Sequence, residues 1–493
     1  MASSSILKAT LLASVIGITI SSSLAGNLTE DLQLRLSTVA QVYYPGSVGY
    51  TNATSRWSTA IQPGLDVVVK VASEEDVQLT IQYANSYNVP FLAIGGGHGT
   101  SSALNSIQGG IGIWLRGLIG VEIAAGNNGS EAVIQAGMLS GEVVQDLWDL
   151  GKMTVTGGCY CTGFSSPMLG GGHGWLQGQY GLMTDNLLSA RLVLANGTAI
   201  TVSDTQHSDL FWGLRGAGHN FGIVTSALYS IYDRTPELDG FATAAFTFTQ
   251  DKLEDVFAIA NGWLEAQNRP VELTHYGTIV INPAIDSKPV IEFLVYWQGT
   301  SIPEEYTDPL KALKPVSVVE EWVDLVDASV NTGASADGPA CALGSGRQTF
   351  PVELYQWDLN NLRTVLDIYA TLPAALNGSV VLLEGYATNR VIEIPQESTA
   401  YANRESRLLA SPLFTYPANA SLGQTVFEIG KQVRSAFLNG TGLPLSAYVN
   451  YANGDESQQA VYGYELWRLQ RLKGLKETYD PQGKFNFFEP IKV

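Results

Sequence analysis

The chain has 493 residues, of which 45% are hydrophobic and 15% are charged. This composition is typical of a globular protein that is long enough for two domains with hydrophobic cores, and it excludes a wholly disordered chain. The formal net charge of −19 would repel phosphate backbones, so we expect no nucleic-acid partner.

The first 25 residues have the layout of a secretory signal peptide. Lys8 precedes an apolar run at residues 9–20, and the small residues Ser23 and Ala25 mark a cleavage site after Ala25. No later stretch reaches about 18 uninterrupted apolar residues, so we expect no membrane-spanning segment. The sequence therefore predicts a secreted chain that begins near Gly26.

Seven Asn-x-Ser/Thr triplets are spread along the chain and predict an N-glycosylated protein with these loops on its surface. They lie at Asn27, Asn52, Asn128, Asn196, Asn377, Asn419 and Asn439.

The chain has three cysteines, Cys159, Cys161 and Cys341. An odd number is unusual in a secreted protein and leaves at least one thiol outside any disulfide. Cys159 and Cys161 are both candidate partners for Cys341, and Cys161 could also be a small buried apolar residue.

Residues 64–94 read as strand, helix and strand. Residues 67–69 are all Val, Ser73 begins a capping box, and the run 91–94 leads directly into the Gly-rich loop 95–99. A Gly-rich loop after a buried strand lets backbone N–H groups approach an anionic ligand closely.

A second Gly-rich loop occupies residues 170–174, and a third lies at 216–222 after a helix that begins at Ser208. Between them, residues 187–200 show strand and turn signals. Residues 60–232 are therefore predicted to form one α+β nucleotide-binding domain.

The strand-like segments 277–281 and 290–298 predict an antiparallel sheet in a second domain, residues 236–444. Leucines at helical spacing predict a helix over 466–479, which ends at Asp480-Pro481. Residues 445–493 are predicted to return to the first domain and pack on it.

None of the three loops fits G-x-G-x-x-G between a strand and a helix, and G-x-x-x-x-G-K-[ST] is absent from the sequence. NAD and ATP are therefore not the expected nucleotides.

Six motifs occur in one order that resembles the vanillyl-alcohol-oxidase superfamily with a PCMH-type FAD-binding domain, in its berberine-bridge-enzyme-like branch of fungal secreted type. They are 94–99 (Ile-Gly-Gly-Gly-His-Gly), 158–163 (Gly-Cys-Tyr-Cys-Thr-Gly), 169–174 (Leu-Gly-Gly-Gly-His-Gly), 181–186 (Gly-Leu-Met-Thr-Asp-Asn), 209–224 and 448–451 (Tyr-Val-Asn-Tyr).

This resemblance implies an α+β fold with a two-part FAD domain and an antiparallel-sheet substrate domain covered by helices. It also implies covalent FAD. His98 would bond to the 8α carbon of the flavin, and a Cys eleven residues before Gly170, which is Cys159, would bond to C6. Imidazole nitrogen and thiolate are suitable nucleophiles for these bonds.

The resemblance implies further cofactor contacts, among them backbone amides of Gly96, Gly97, Gly170 and Gly171 around the pyrophosphate. The complete predicted set beyond His98 and Cys159 is Gly95, Gly96, Gly97, Gly99, Thr100, Thr162, Gly163, Gly170, Gly171, Gly172, Asp185, Asn186, Gly222, Ile223, Val224 and Asn450. We expect no metal site, because the histidines and cysteines show no paired ligand spacing beyond Cys159-x-Cys161.

Tyr448 and Tyr451 are the predicted catalytic residues, since related oxidases place a Tyr of the Tyr-x-Asn-Tyr motif over the flavin. Packing by either phenol is the alternative. Two positions depart from berberine bridge enzyme itself: Thr100 replaces an active-site Tyr, and Ala410 stands where residue counting, with a possible slip of one, places the catalytic Glu. Ring closure by the namesake mechanism is therefore not predicted.

The predicted function is an FAD-linked oxidase that uses O₂ on a small molecule, a phenolic, polyketide or alkaloid scaffold of fungal secondary metabolism. The mostly apolar second domain, with aromatic residues such as Tyr276, Trp297, Trp322 and Tyr386, fits a substrate of this class. An extracellular oligosaccharide or alcohol oxidase is the alternative, and a non-catalytic flavin-binding protein is a more remote one. We expect a monomer.

Overall fold

The computed structural model describes residues 31–265, 269–418 and 420–493. The predicted signal peptide, with its cleavage site after Ala25, and the predicted glycosylation sites Asn27 and Asn419 lie outside the described residues. Among the helices of the described part, none is long and apolar enough to span a bilayer.

The first sheet contains β1 (Gln41–Tyr43), β2 (Leu65–Lys70), β3 (Phe91–Ile94) and β4 (Gly110–Trp114). The strand order is β1-β2-β4-β3, with β2 and β3 parallel to β4 and β1 antiparallel to β2. Two helices belong to this part, α1 (Val48–Thr54) and α2 (Glu74–Ser86). The predicted capping box is confirmed, because the Ser73 hydroxyl accepts a hydrogen bond from the Asp76 N–H.

The second sheet contains β5 (Val121–Ile123), β6 (Glu131–Gln135), β8 (Leu187–Val193), β9 (Ala199–Ser203) and β10 (Ile223–Ser230). Its order is β5-β6-β10-β8-β9, with antiparallel pairing throughout. A short ladder joins β7 (Lys152–Met153) to β11 (Tyr232–Asp233). The helices of this part are α3 (Ser140–Asp149), α4 (Ser165–Leu169), α5 (Gln177–Tyr180) and α6 (Ser208–Ala217).

The third sheet confirms the predicted antiparallel sheet. Its strands are β12 (Gly240–Phe248), β13 (Leu273–Val280), β14 (Val290–Gln298), β15 (Ser317–Asp324), β16 (Ser345–Thr349), β17 (Val352–Leu354), β18 (Val380–Gly385) and β19 (Leu408–Pro417). The order is β15-β12-β14-β13-β18-β19-β16, and β17 also pairs with β19.

The two faces of the third sheet have different neighbours. One face forms a core with helices, in which Phe257, Leu362 and Val433 are fully or almost fully buried. The other face turns to the first two sheets, and there Tyr296 stacks on Trp175 with ring centroids 4.6 Å apart. The helices of this part are α7 (Leu253–Glu265), α8 (Glu304–Ala312), α9 (Leu359–Tyr369), α10 (Asn389–Glu393) and α11 (Ala420–Leu438).

The chain ends with α12 (Gln458–Tyr462) and α13 (Leu466–Tyr479). The bounds of α13 are those predicted from its leucine spacing. Lys476 of α13 donates a hydrogen bond to the carbonyl of Asn220, so this last segment packs on the third Gly-rich loop. The α+β fold, with a helix-covered antiparallel sheet, is the predicted one.

Candidate active site

A cavity of about 290 Å³ lies between the first Gly-rich loop and the inner face of the third sheet. Most of the predicted site residues line it together. They are Gly95, Gly96, Gly97, His98, Gly99, Cys159, Thr162, Gly163, Gly222, Ile223, Val224, Tyr448, Asn450 and Tyr451.

Three predicted cofactor residues do not line the cavity and instead hold neighbouring segments in place. Thr100 is buried and donates a hydrogen bond to the Ala452 carbonyl at 3.0 Å. Asp185 forms a buried ion pair with Arg404 at 2.6 Å. Asn186 donates from its side-chain amide to two backbone carbonyls of its own loop.

Gly170, Gly171 and Gly172 of the second Gly-rich loop also lie outside the cavity wall, where they pack under the Tyr-x-Asn-Tyr motif, whereas His173 of the same loop lines the cavity. A Cβ atom on Gly170 would lie 2.3 Å from Oδ1 of Asn450, so only glycine fits there. The Gly170 and Gly171 amides donate to backbone carbonyls, and the Gly172 amide donates to the hydroxyl of Tyr448. Two of the four amides predicted around a pyrophosphate, those of Gly170 and Gly171, are thus engaged inside the protein.

His98 sits in the first Gly-rich loop, with its ring stacked on Trp57 at a centroid distance of 5.3 Å. Burial, together with the charges of Arg347 and Arg56, lowers the pKa of His98 to about 3. The imidazole is therefore neutral at physiological pH, which is its nucleophilic form.

The structure decides between the cysteine pairings. Cys161 and Cys341 form a disulfide, and Cys159 is the free cysteine at the cavity wall. Sulfur atoms of Cys159 and Cys161 and a ring nitrogen of His98 all lie within 4.8 Å of one another. Because Cys161 is in a disulfide, this group has no third free ligand for a metal ion.

The residues of the wall fit a flavin dinucleotide. His98 and Cys159 place two nucleophiles close together, as bonds to the 8α methyl carbon and to C6 of one flavin ring system would require. A Cβ atom on Gly96 would lie 2.6 Å from the amide nitrogen of Gly163, so glycine is needed where these two loops meet. Arg56 also lines the cavity, and its buried Nε has no hydrogen-bond partner among the described residues, which suits an anionic phosphate.

Tyr451 and Glu384 form a hydrogen-bonded pair at the cavity. The Tyr451 hydroxyl donates to Oε1 of Glu384 at 3.1 Å, and Oε2 of Glu384 is buried without a partner in the described part of the chain. Burial raises the pKa of Glu384 to about 7, although the hydroxyl groups of Tyr386 and Tyr451 oppose the rise. The sequence analysis missed Glu384, although a single carboxylate at the end of the apolar run 380–383 was a usable signal.

Tyr448 is held differently, because its hydroxyl oxygen accepts three hydrogen bonds. The donors are the backbone amides of Gly172 at 3.1 Å and His173 at 3.3 Å, and the side-chain amide of Asn450 at 2.7 Å. Burial raises the pKa of Tyr448 to about 12, and these donors oppose the rise. The site therefore fixes the position of this phenol closely.

The position predicted for the family's catalytic Glu lies on β19. Ala410 there is fully buried against the helices, on the face away from the cavity. The preceding residue, Leu409, packs beside Tyr448 and pairs across the strands with Glu384. The neighbouring strand β18 thus supplies the carboxylate of this site.

Of the four aromatic residues named for the second domain, Tyr276 and Tyr386 are in the cavity wall. The other two lie elsewhere. Trp297 packs with the helix-covered core, near Tyr306 of α8, and Trp322 is 49% exposed on the edge strand β15. The C-terminal segment contributes residues that no motif pointed to, Lys484, Phe485, Phe487 and Phe488.

This fold and site define an FAD-dependent oxidoreductase, and comparisons with known proteins agree. The family model described as "FAD binding domain" matches residues 65–203, and the one described as "Berberine and berberine like" matches residues 447–492. The chain is 37% identical over 483 residues to "FAD-linked oxidoreductase chry5" of Gibberella zeae, a match that covers 94% of each chain. The chain belongs to this family of berberine-like FAD-linked oxidoreductases.

Solved structures share the fold at low sequence identity. BBE-like 1 of Physcomitrella patens has a TM-score of 0.80 at 21% identity, covering 94% of this chain and 99% of that one. Glucooligosaccharide oxidase of Acremonium strictum, described with a 6-S-cysteinyl, 8α-N1-histidyl FAD, has a TM-score of 0.77 at 19% identity, covering 94% of this chain and 98% of that one.

Proposed function

We propose that this chain is an exported oxidase that carries FAD bonded to His98 and Cys159 and oxidises a small aromatic metabolite with O₂. One observation carries the proposal: a neutral imidazole and a free thiol stand side by side in the cavity that also holds the Tyr451–Glu384 pair. A covalent bond would keep the cofactor on an exported protein, and a proton acceptor would assist the oxidation of a substrate hydroxyl.

FAD, when bound, would take a hydride from the substrate carbon and pass its electrons to O₂. Tyr451 would accept the proton of the substrate hydroxyl while it gives its own proton to Glu384. Because burial raises the pKa of Tyr451 well above its ordinary value, these two transfers occur together and no free tyrosinate has to form. Tyr448, fixed by its three donors, would position the substrate.

The cavity wall favours a flat aromatic substrate. Tyr276 of the third sheet, Tyr386 directly after strand β18, and Trp175 lie together, with the Trp175 and Tyr386 ring centroids 5.8 Å apart. Aromatic rings bind flat apolar scaffolds through offset and edge contacts. This composition supports a phenolic, polyketide or alkaloid scaffold as the substrate class.

An oligosaccharide oxidase is the second candidate, because the glucooligosaccharide oxidase noted above shares the fold. Aromatic rings also stack on sugar faces, and Glu384 could accept a sugar hydroxyl. A flavin-binding protein without turnover is the remote alternative. The Tyr451–Glu384 pair argues against it, since binding alone needs no proton acceptor of this kind.

The covalent bonds are tested by acid precipitation followed by peptide mass spectrometry. We expect yellow colour in the pellet and flavin on His98 and Cys159. The matched variants are His98→Ala, which should keep flavin through Cys159, and His98→Ala with Cys159→Ser, which should release it. Quantitative release of FAD from the wild type would reject the covalent bond.

The activity is tested by hydrogen peroxide release across a panel of phenolic metabolites, other alcohols and oligosaccharides. Turnover of phenolics with little response to oligosaccharides supports the first candidate, and the reverse supports the second. Lack of peroxide with every substrate, in protein that carries flavin, would support the non-catalytic alternative.

A further inference from the structure

Three cysteine sulfurs meet at the cavity wall. Cys161 is bonded to Cys341, and the sulfur of Cys159 lies 3.6 Å from that of Cys161 and 3.9 Å from that of Cys341. Cys159 is therefore nearly as close to Cys341 as it is to its neighbour in sequence. A small side-chain movement would let Cys341 bond to Cys159 in place of Cys161.

Contacts other than the disulfide bring Cys341 to this place. The Tyr160 amide donates to the Ala334 carbonyl at 2.9 Å, and the Tyr160 hydroxyl donates to the carbonyl of Leu325. The Trp57 indole donates to the Ala340 carbonyl at 2.6 Å. The segment that carries Cys341 would thus stay beside Cys159 even without Cys161.

We propose that Cys161 is a positioning residue for the flavin bond: it engages Cys341 and so keeps the Cys159 thiol free for the cofactor. The inference rests on the proposed flavin bond to Cys159. It implies that loss of Cys161, which does not line the cavity, removes that bond by letting Cys341 pair with Cys159.

Forming the disulfide and forming the bond from Cys159 to the flavin are both oxidations, and each has an electron acceptor. Closing the Cys161–Cys341 disulfide removes two hydrogens with their electrons from two thiols, and a small disulfide such as oxidised glutathione takes them up as two thiols. The cofactor bond replaces the S–H of Cys159 and one ring C–H by an S–C bond. The two hydrogens released, with their electrons, convert O₂ to hydrogen peroxide.

The disulfide that Cys341 forms during folding should persist in the folded protein. Thiol–disulfide exchange needs a thiolate, and burial raises the pKa of Cys159 to about 11, so little thiolate is present in the folded protein. In Cys161→Ser, an early Cys159–Cys341 bond would persist as well, because no third cysteine remains to exchange with it. The choice of partner for Cys341 therefore decides whether the flavin can bond to Cys159.

A simple stabilising disulfide predicts something different. If the bond only tied the two parts of the chain together, across a separation of 180 residues, then every variant that lacks it should behave alike. Our proposal separates two such variants. Cys161→Ser should lose the flavin bond to Cys159, whereas Cys161→Ser with Cys341→Ser should regain it.

The test is peptide mass spectrometry of the wild type and both variants, with free thiols alkylated at low pH and without reduction. We expect flavin on Cys159 to fall about tenfold or more in Cys161→Ser, with a Cys159–Cys341 disulfide in its place, and to recover in the double variant. In the wild type, any molecules without flavin at Cys159 should show Cys161–Cys341 and an alkylated Cys159, a measurement that does not depend on how a variant folds.

Wild-type flavin on Cys159 in Cys161→Ser, an equal loss in both variants, or a Cys159–Cys341 bond in the wild type would each overturn the proposal. Wild-type protein with flavin on His98 alone would instead overturn the proposed Cys159 bond. Mapping the disulfides of the variants does not require bound flavin. It therefore shows independently which cysteine pairs with Cys341.

Discussion

Tyr451 donates a hydrogen bond to Oε1 of Glu384 at 3.1 Å, although 67 residues separate the two in sequence. Glu384 is 1% exposed, and both Glu384 and Tyr451 line the cavity. A proton can therefore pass from a ligand in the cavity to a buried carboxylate through one hydroxyl group. This arrangement favours Tyr451 over Tyr448 as the proton acceptor.

Tyr451→Phe should lower the rate of flavin reduction at saturating substrate by about 10²-fold to 10⁴-fold, the usual contribution of one positioned acid or base. Anaerobic stopped-flow measurement isolates this half-reaction from O₂ chemistry. Tyr276→Phe is the matched control, because it removes one phenolic oxygen from the same wall. Equal rates in Tyr451→Phe and the wild type would mean that the base lies elsewhere.

Tyr448→Phe should mainly lower stability. The amides of Gly172 and His173 would lose their acceptor inside the protein, at a cost of about 1–3 kcal/mol. Thermal unfolding of the flavin-loaded protein measures the loss, and flavin reduction should fall less than in Tyr451→Phe. A larger kinetic effect in Tyr448→Phe, with unchanged stability, would reverse the two roles.

Glu384→Gln should remove the pH dependence of the rate of flavin reduction. The pKa of Glu384 is raised to about 7, so the proton-accepting carboxylate becomes abundant only as pH rises through that value. The wild-type rate of flavin reduction should rise across this range and level off above it, whereas the variant should be slow and nearly independent of pH. A wild-type rate that is flat from pH 5 to about pH 9 would contradict this role.

Glu353→Gln should change how stability depends on pH. The buried carboxyl of Glu353 accepts from Tyr401 and Ser446, and burial raises its pKa from 4.5 to about 7. The folded protein keeps this proton where the unfolded chain has lost it. The contribution of the Glu353 proton to the free energy of unfolding is therefore full below pH 4.5 and is lost as the pH rises through about 7.

The difference in melting temperature between the wild type and Glu353→Gln, taken as wild type minus variant, should therefore decrease between about pH 4 and pH 8. Glu405→Gln is the matched control, because Glu405 is exposed at the same surface pocket, and its difference from the wild type should stay constant. A constant difference for Glu353→Gln as well would show that the buried carboxyl does not titrate in this range.

The exported chain should carry N-linked glycans. The five acceptor residues within the described part of the chain are all exposed, namely Asn52, Asn128, Asn196, Asn377 and Asn439. An oligosaccharyltransferase can therefore reach them in an exported chain. Endoglycosidase treatment should lower the apparent mass of the secreted protein, and unchanged mobility with Met1 still present would reject export.

The sequence by itself determined the elements and the order of the site loops. The capping box at Ser73, the strand that leads into His98, and the leucine spacing of 466–479 are local signals, and each corresponds to the structure. Local hydrogen bonds and side-chain periodicity fix such features within one or two turns of chain. The odd number of cysteines likewise showed that one thiol had to stay free.

Only the tertiary structure decided which distant residues meet. The choice of Cys161 over Cys159 as the partner of Cys341, and the pairing of Glu384 with Tyr451, depend on segments far apart in sequence. The same is true of the hydrogen bond that the amide of Gly172 donates to the hydroxyl of Tyr448. Strand order and loop packing set these distances, and because one residue of register turns a side chain to the opposite face of a sheet, no local pattern specifies them.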